Sequence, residues 1–427
     1  LILAKDERPL IYYRLGAAPD KEPLSRSAGD VDGLVVGGHL FAWGQSWISL
    51  FLQKMKKPFF VDPMSYIFAK DPSFIVRDGS LRKSYDALKD WFNWKVKEVA
   101  GKRPLRPEDF DNGGNEEAIK EFVVRVLEFQ RRIPRVDDRL QNSLEKYGEI
   151  MGEDLLGERL LPQFYLSPYF HATDLDDPWY RITMECAHVA SGIEDYEPLV
   201  PVLCLSESFI AEKHGREQIC NDLSGFELCV LWISGLDEFS SSLESLRAFK
   251  LLVEELADSN VGVINMYGGY LSLLLYFSGV GVTCSGPAYG ESKSADWVAT
   301  GGGFPDRYYI PRAKRIVVEA NARTFLSRNP EFLCDCEVCG ELTESIGMDS
   351  ESTDFPHQLD YFFQELRGAK TRMHYIRCRA RESAMVGTSK PDALRDNLLQ
   401  CQSELGDADS TTLGVPTDHL ERWASLL

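Results

Sequence analysis

The stretch Phe332-Leu-Cys-Asp-Cys-Glu-Val-Cys-Gly340 places Cys334, Cys336 and Cys339 at C-x-C-x-x-C spacing. A tight turn with that spacing aims three thiolates at one point, three quarters of a tetrahedral zinc site. The fourth ligand must return from downstream, where His357, His374, Cys378 and, further on, Cys401 and His419 are the candidates. His374 is favoured, because the run His357-Gln-Leu-Asp-Tyr-Phe-Phe-Gln-Glu-Leu-Arg367 clusters its apolar residues on one side and reads as a helix that carries the chain back to the cysteines. A closed Cys3His set leaves no open coordination position, so its Zn2+ is expected to be structural.

Upstream of the knuckle, short apolar runs rich in β-formers recur: 31–37, 58–62, 162–167, 199–205, 226–233, 261–266 and 280–284. Runs of this kind suit parallel strands covered on both faces. Amphipathic stretches separate them; in 241–257, Leu243, Leu246, Phe249, Leu252, Val253 and Leu256 recur at helical spacing. Seven or eight β-α units imply an α/β fold of the (β/α)8 TIM-like barrel type. A doubly wound sheet is the alternative, weakened by the lack of a glycine-rich loop after the first run. The expected organisation is a barrel over 1–330, interrupted by a charged helical insertion at about 85–160 with a long helix from Glu116 to Arg132. A zinc-binding subdomain over 331–385 and a polar C-terminal tail over 386–427 follow, the tail with a loop at 404–412 and a short closing helix from His419.

With 44% hydrophobic residues in 427, a large core is affordable, and no run approaches the ~18 apolar residues of a membrane span. Ten irregularly spaced cysteines do not form a disulfide framework, which points to a reducing, cytoplasmic setting. A net charge of -19 argues against nonspecific coating of nucleic acid. One basic cluster, Arg367, Lys370, Arg372, Arg377, Arg379 and Arg381, surrounds His374 and is either a phosphate-contact patch or a solvated helix face.

The knuckle, the helix after it and Glu365-Leu-Arg-Gly-Ala-Lys-Thr-Arg-Met-His-Tyr-Ile376 together resemble the zinc subdomain of the tRNA-guanine transglycosylase family, with a longer gap to the histidine. The resemblance implies that the metal clamps this subdomain to a barrel. Val36-Gly-Gly-His-Leu40 followed by Pro58-Phe-Phe-Val-Asp-Pro-Met-Ser65 is similar to that family's first strands, and Asp62 falls on an aspartate that handles protons at the exchanged base. The family's Ser-Gly-Gly is Pro63-Met64-Ser65 here. Ser234-Gly-Leu-Asp-Glu238 resembles a base-contacting loop, and Met266-Tyr-Gly-Gly269 the strand end beyond it. The family's nucleophilic aspartate has Cys284 nearest its place, and its strand-end glutamine corresponds to about Ser206.

Barrel active sites lie at the carboxyl ends of strands. Polar residues expected there are His39, Asp62, Ser167, His171, Ser206, Glu207, Asp237, Glu238, Asn265, Tyr267, Cys284, Tyr289 and Glu291. Base exchange by double displacement needs a carboxylate nucleophile and a second acid or base. Asp62 suits the second role, and Glu207 or Asp237 are candidates for the first. His39, Ser206, Glu238, Tyr267 and Cys284 would line the pocket for a nucleobase or nucleoside. The resemblance thus implies a pentosyltransferase that exchanges guanine for a 7-deazaguanine in tRNA or DNA or acts on an N-glycosidic bond, in a homo- or hetero-oligomer. The alternative is a non-catalytic subunit of the same fold that binds a partner protein or nucleic acid. Carboxylates converging within about 10 Å at the mouth favour the enzyme; a mouth filled by Phe, Tyr and Met favours the subunit.

Overall fold

The computed structural model describes residues 7–16, 18–110, 115–131, 161–287, 290–296, 306–408 and 410–427. Eight parallel strands form one curled sheet: β1 (Leu10–Leu15), β2 (Gly33–Gly37), β3 (Phe59–Asp62), β4 (His171–Ala172), β5 (Val202–Ser206), β6 (Leu228–Ser234), β7 (Gly262–Asn265) and β8 (Val280–Ser285). Their spatial order is β3-β2-β1-β8-β7-β6-β5-β4. Every residue of β2 and β3 is buried, as expected for strands covered by helices on one face and by the opposite wall on the other.

Between the edges β3 and β4, residue Gln163 ties the sheet together. Its backbone N–H donates to Phe59 O at 2.8 Å, and its side-chain carbonyl accepts from Tyr12 Oη at 2.7 Å. The chain then pairs Tyr165–Leu166 in parallel with Leu199–Val200 before β4 joins β5. Of the expected strand runs, all seven contain strand residues. Of the eight strands of the sheet, the two outside that set are β1, whose apolar run is interrupted by Arg14, and β4, which has only two residues.

The stretch expected as an insertion contributes helices Lys83–Phe92, Trp94–Val99 and Asn115–Arg131. Ile119, Phe122, Val123, Val126, Leu127 and Phe129 of the last are all buried in the main core. Buried Gln130 completes the attachment: Nε2 donates to Leu166 O at 2.8 Å and Oε1 accepts from Leu166 N at 2.9 Å. The described part of the segment thus packs into the main core between β3 and β4 in chain order. Residues 132–160 of the expected insertion lie outside the described residues.

Helix Leu243–Asp258 forms where the spacing places it, with Leu246, Phe249, Leu252, Val253 and Leu256 buried and the Ser242 hydroxyl capping Ser245 N at 3.1 Å. The C-terminal stretch needs correction. A helix spans Pro391–Asp407, so the loop expected at 404–412 starts later. Leu394, Leu398, Cys401 and Leu405 are its buried face, an i, i+4, i+7, i+11 stripe diluted by polar neighbours. Helix His419–Ala424 closes the chain against Glu238, whose carbonyl accepts from Trp423 Nε1 at 2.9 Å.

His419 is fully buried, donates from Nε2 to Ala313 O at 2.9 Å, and is held down at about 4 by burial, with Arg315 and Arg422 adding repulsion. Its folded-state value lies below that of the unfolded imidazole, so the unfolded chain takes up the proton first. Stability from this residue is complete above pH 6.5 and is lost as pH falls toward 4, up to about 3 kcal/mol. His419→Gln, which can keep the donor to Ala313, is expected to flatten the fall of urea-unfolding stability between these pH values relative to wild type.

Candidate functional site

Cys334 and Cys336 lie in extended backbone just before helix Glu337–Ile346, and Cys339 in its first turn. The Cys336 N–H donates to Cys334 Sγ at 3.3 Å, a contact that favours thiolate. His374 and Cys378 stand one turn apart on helix Ala369–Thr388 and face the knuckle together. Donor atoms of Cys334, Cys336, His374 and Cys378 all lie within 4.8 Å of one another, and all four residues are buried. Cys339 Sγ also approaches His374 Nδ1, at 3.3 Å. Cys334 Sγ to Cys378 Sγ is 3.5 Å, and His374 Nδ1 is 3.3 Å from Cys336 Sγ and 3.6 Å from Cys378 Sγ. A tetrahedral zinc with bonds of about 2.0–2.3 Å separates its ligand atoms by about 3.5–3.8 Å, so the donor set fits the ion.

The tautomer of His374 suits that role. Nε2 is 2.8 Å from Tyr309 O and must donate to it, which leaves the Nδ1 lone pair facing the thiols. Tyr308 stacks on the imidazole at 4.5 Å and 3°. Both tyrosines sit on the antiparallel hairpin Arg307–Ile310 with Arg315–Val318. Cys378, only an alternative ligand by spacing, thus joins the cluster, whereas His357 is exposed and packs on Tyr361.

The arginines around His374 are committed to acids. Arg367 meets Asp306 and Glu319, Lys370 meets Glu365, Arg372 meets Asp20, Arg377 meets Asp30 and Glu337, and Arg381 meets Asp335. Arg379 is buried between Glu291 and Glu382.

At the carboxyl ends of the strands, Asp62 is buried, and both its oxygens are engaged. It takes Tyr169 Oη at 2.8 Å, Met64 N at 3.0 Å and the Arg14 guanidinium at 3.2 Å. Met64 has φ +55, a left-handed conformation costing a side chain about 1–2 kcal/mol, at a place where the resemblance has glycine. Its sulfur is 3.0 Å from His39 Nδ1. His39 stacks on Tyr85 at 5.1 Å and is kept neutral, down at about 3, by burial and then by Lys293 and Arg14. Arg14 stands 4.5 Å over the Tyr267 ring. Tyr66 packs between Tyr169 and Trp232, and Tyr267 against Trp232. Lys293 donates from Nζ to Tyr66 Oη at 2.7 Å and Tyr267 Oη at 3.2 Å, and burial followed by Arg14 brings it down to about 7.

The other expected residues are occupied elsewhere. Glu207 accepts from Ser241 Oγ at 3.3 Å, and Asp237 caps the turn at Phe239 N and Ser240 N. Ser206 caps a helix at Phe209 N and donates to Thr173 O at 2.7 Å. Cys284 is a fully buried thiol in β8, pushed up by burial. Glu238 takes Gly269 N at 2.7 Å, Leu271 N at 2.8 Å and Ser272 Oγ at 2.7 Å, while burial and then Glu291 push it up to about 7. Glu238 and Glu291 both border Gly269, where a Cβ would stand 2.9 Å from one carboxylate and 3.1 Å from the other. Their proximity meets the distance criterion, yet Glu291 is held by Arg379 and by Tyr375 Oη at 2.6 Å. Tyr289 lies outside the described residues.

Sequence reasoning did not single out Arg14, Tyr66, Tyr169, Trp232 or Lys293. Arg14 interrupting the β-rich run 10–15 was the one readable signal. No protein-family model matches the chain, and no curated protein matches it.

Metal analysis of the purified protein is expected to give about one zinc per chain, with His374→Ala lowering zinc content and Tm together. Cys339→Ser and Cys378→Ser measured side by side identify which thiol completes the set, since the ligand variant alone loses metal.

Proposed function

We propose that the chain is a transglycosylase-type (β/α)8 barrel with a structural zinc that acts as a non-catalytic subunit, binding a partner protein or nucleic acid. A barrel-like arrangement is supported by the cyclic strand order, open between β3 and β4, and by the segment that enters this opening, where Gln163 N donates to Phe59 O of β3 and Tyr165–Leu166 pairs with Leu199–Val200. The observation that carries the functional reading is the state of Asp62. Both oxygens of the buried Asp62 are already engaged by the protein's own donors, Oδ1 by Tyr169 Oη and Met64 N and Oδ2 by the Arg14 guanidinium, which sets it against the role of an acid or base at an exchanged nucleobase. Glu207, Asp237 and Glu238 cap turns or helices, and Cys284 is a poor glycosyl nucleophile. A reducing compartment suits ten free thiols, and no described helix is long and apolar enough to cross a membrane. Because the arginines near His374 are paired, a partner that meets this face has to exchange those ion pairs, which favours a protein surface carrying both charges over bare phosphate.

The test is incorporation of labelled guanine and 7-deazaguanines into tRNA and duplex DNA by wild type and Asp62→Asn. No incorporation by either is expected. Incorporation by wild type that is lost in Asp62→Asn would overturn the reading and restore the exchange enzyme.

A further inference from the structure

Residues 290–296 form a strap fastened to the carboxyl end of β6. Ser292 Oγ donates to Asp237 Oδ2 at 2.9 Å, and Ala295 N donates to Ser234 Oγ at 2.8 Å. The Lys293 carbonyl accepts twice, from Trp232 Nε1 at 2.9 Å and from Gly235 N at 3.1 Å. One residue upstream of Ser292, Glu291 is clamped by Arg379. With its backbone pinned on both sides, Lys293 is delivered to one place. Nζ lies 4.9 Å from the Trp232 ring and 5.3 Å from those of Tyr66 and Tyr267, within hydrogen-bond reach of both phenols. Among the described residues no carboxylate comes within ion-pair distance of Nζ, yet the residue is only half-buried.

An amine lying among rings, without a paired carboxylate, with a cation nearby and with its residue still reachable from solvent, is the environment that turns a lysine into a nucleophile. We propose that Lys293 is a nucleophilic amine which the strap presents to a small aldehyde or ketone, and with which it condenses to an imine. The Nζ lone pair forms a bond to the carbonyl carbon while the carbonyl oxygen takes a proton. The C–O bond of the resulting carbinolamine then breaks, and oxygen leaves as water with protons originating on nitrogen. No electrons are exchanged with another reagent. Tyr66 and Tyr267, both held protonated by burial, stand where a hydroxyl can pass the proton to the departing oxygen.

The groups that face Lys293 are Arg14 on the cationic side, Asp62 on the anionic side, and His39, Cys204 and the two tyrosines, all neutral near pH 7. Arg14 is itself paired with Asp62, so desolvation dominates the balance. This amine chemistry is independent of base exchange, and its failure would leave the subunit reading untouched.

The experiment treats the full chain with propanal and sodium cyanoborohydride, which reduces any imine to a stable propyl-lysine, between about pH 5.5 and 9. Labelling of each lysine is followed by mass spectrometry of the digest, with Lys213, whose side chain is 77% exposed, as internal reference. At pH 7, Lys293 is expected to react at least about tenfold faster than Lys213. Its rate should rise through a midpoint near 7, whereas that of Lys213 climbs to the end of the range. Tyr66→Phe, checked for fold by zinc content and circular dichroism, should slow Lys293 about threefold and leave Lys213 unchanged. Labelling of wild-type Lys293 no faster than Lys213, or none at all, overturns the proposal.

Discussion

A guanidinium removed from water ties the strap at 290–296 to the hairpin Arg307–Ile310 and to helix Ala369–Thr388. Arg379 is 2% exposed and pairs with Glu291 from the strap and Glu382 from its own helix. It also faces the rings of Tyr309 and Tyr375. Burying a charge costs several kcal/mol unless hydrogen bonds satisfy it, so the arrangement survives only if every partner is present at once. Tyr309 belongs to the hairpin that orients His374, and Glu291 leads into Lys293. One charge therefore links the thiol cluster to the carboxyl ends of the sheet.

The thiol cluster solves the complementary problem. Hairpin, knuckle helix and helix Ala369–Thr388 meet through buried residues such as Tyr308, Val338, Leu342 and Ile376, and the donors of Cys334, Cys336, His374 and Cys378 converge where a bound metal would join the three. Around this centre the ion pairs are local: Arg377 to Asp30 and Arg372 to Asp20 fasten the long helix to the first turns of the chain. The excess of acids behind the net charge of -19 is thereby spent in part on its own arginines. A basic run in the linear chain becomes a nearly neutral face.

At the strand ends, most of the polar side chains singled out from the sequence are engaged in packing and capping contacts. Asp62 occupies the position that the family resemblance marks for proton handling, but Tyr169 and Arg14 arrive from distant strands and consume its oxygens. Neither was legible beforehand. Tyr169 lies just before a two-residue strand, and Arg14 reads as a break in an apolar run unless β1 is known to lie between β2 and β8. Glu207, Asp237 and Ser206 make local hydrogen bonds for a related reason: carboxylates and hydroxyls at strand ends are also ready caps for the turns and helices that follow.

What the chain determined by itself is everything carried by local periodicity and short spacing. The all-apolar runs specify buried parallel strands because the two faces of a covered strand have the same requirement. Leu246 through Leu256 specify a helix because 3.6-residue periodicity has one geometric solution. The C-x-C-x-x-C knuckle specifies a metal-competent turn because its three thiols are within reach of one another whatever the rest of the chain does. Tertiary structure brought His374, the donor favoured by spacing, to the knuckle, and placed Cys378 beside it by helical pitch. It also decided that Arg14 neutralises Asp62 and that Lys293 stands in an aromatic cage. Those outcomes depend on strand order and on loops crossing between strands, and a charge or a phenol acquires its chemistry only from the groups that folding places around it.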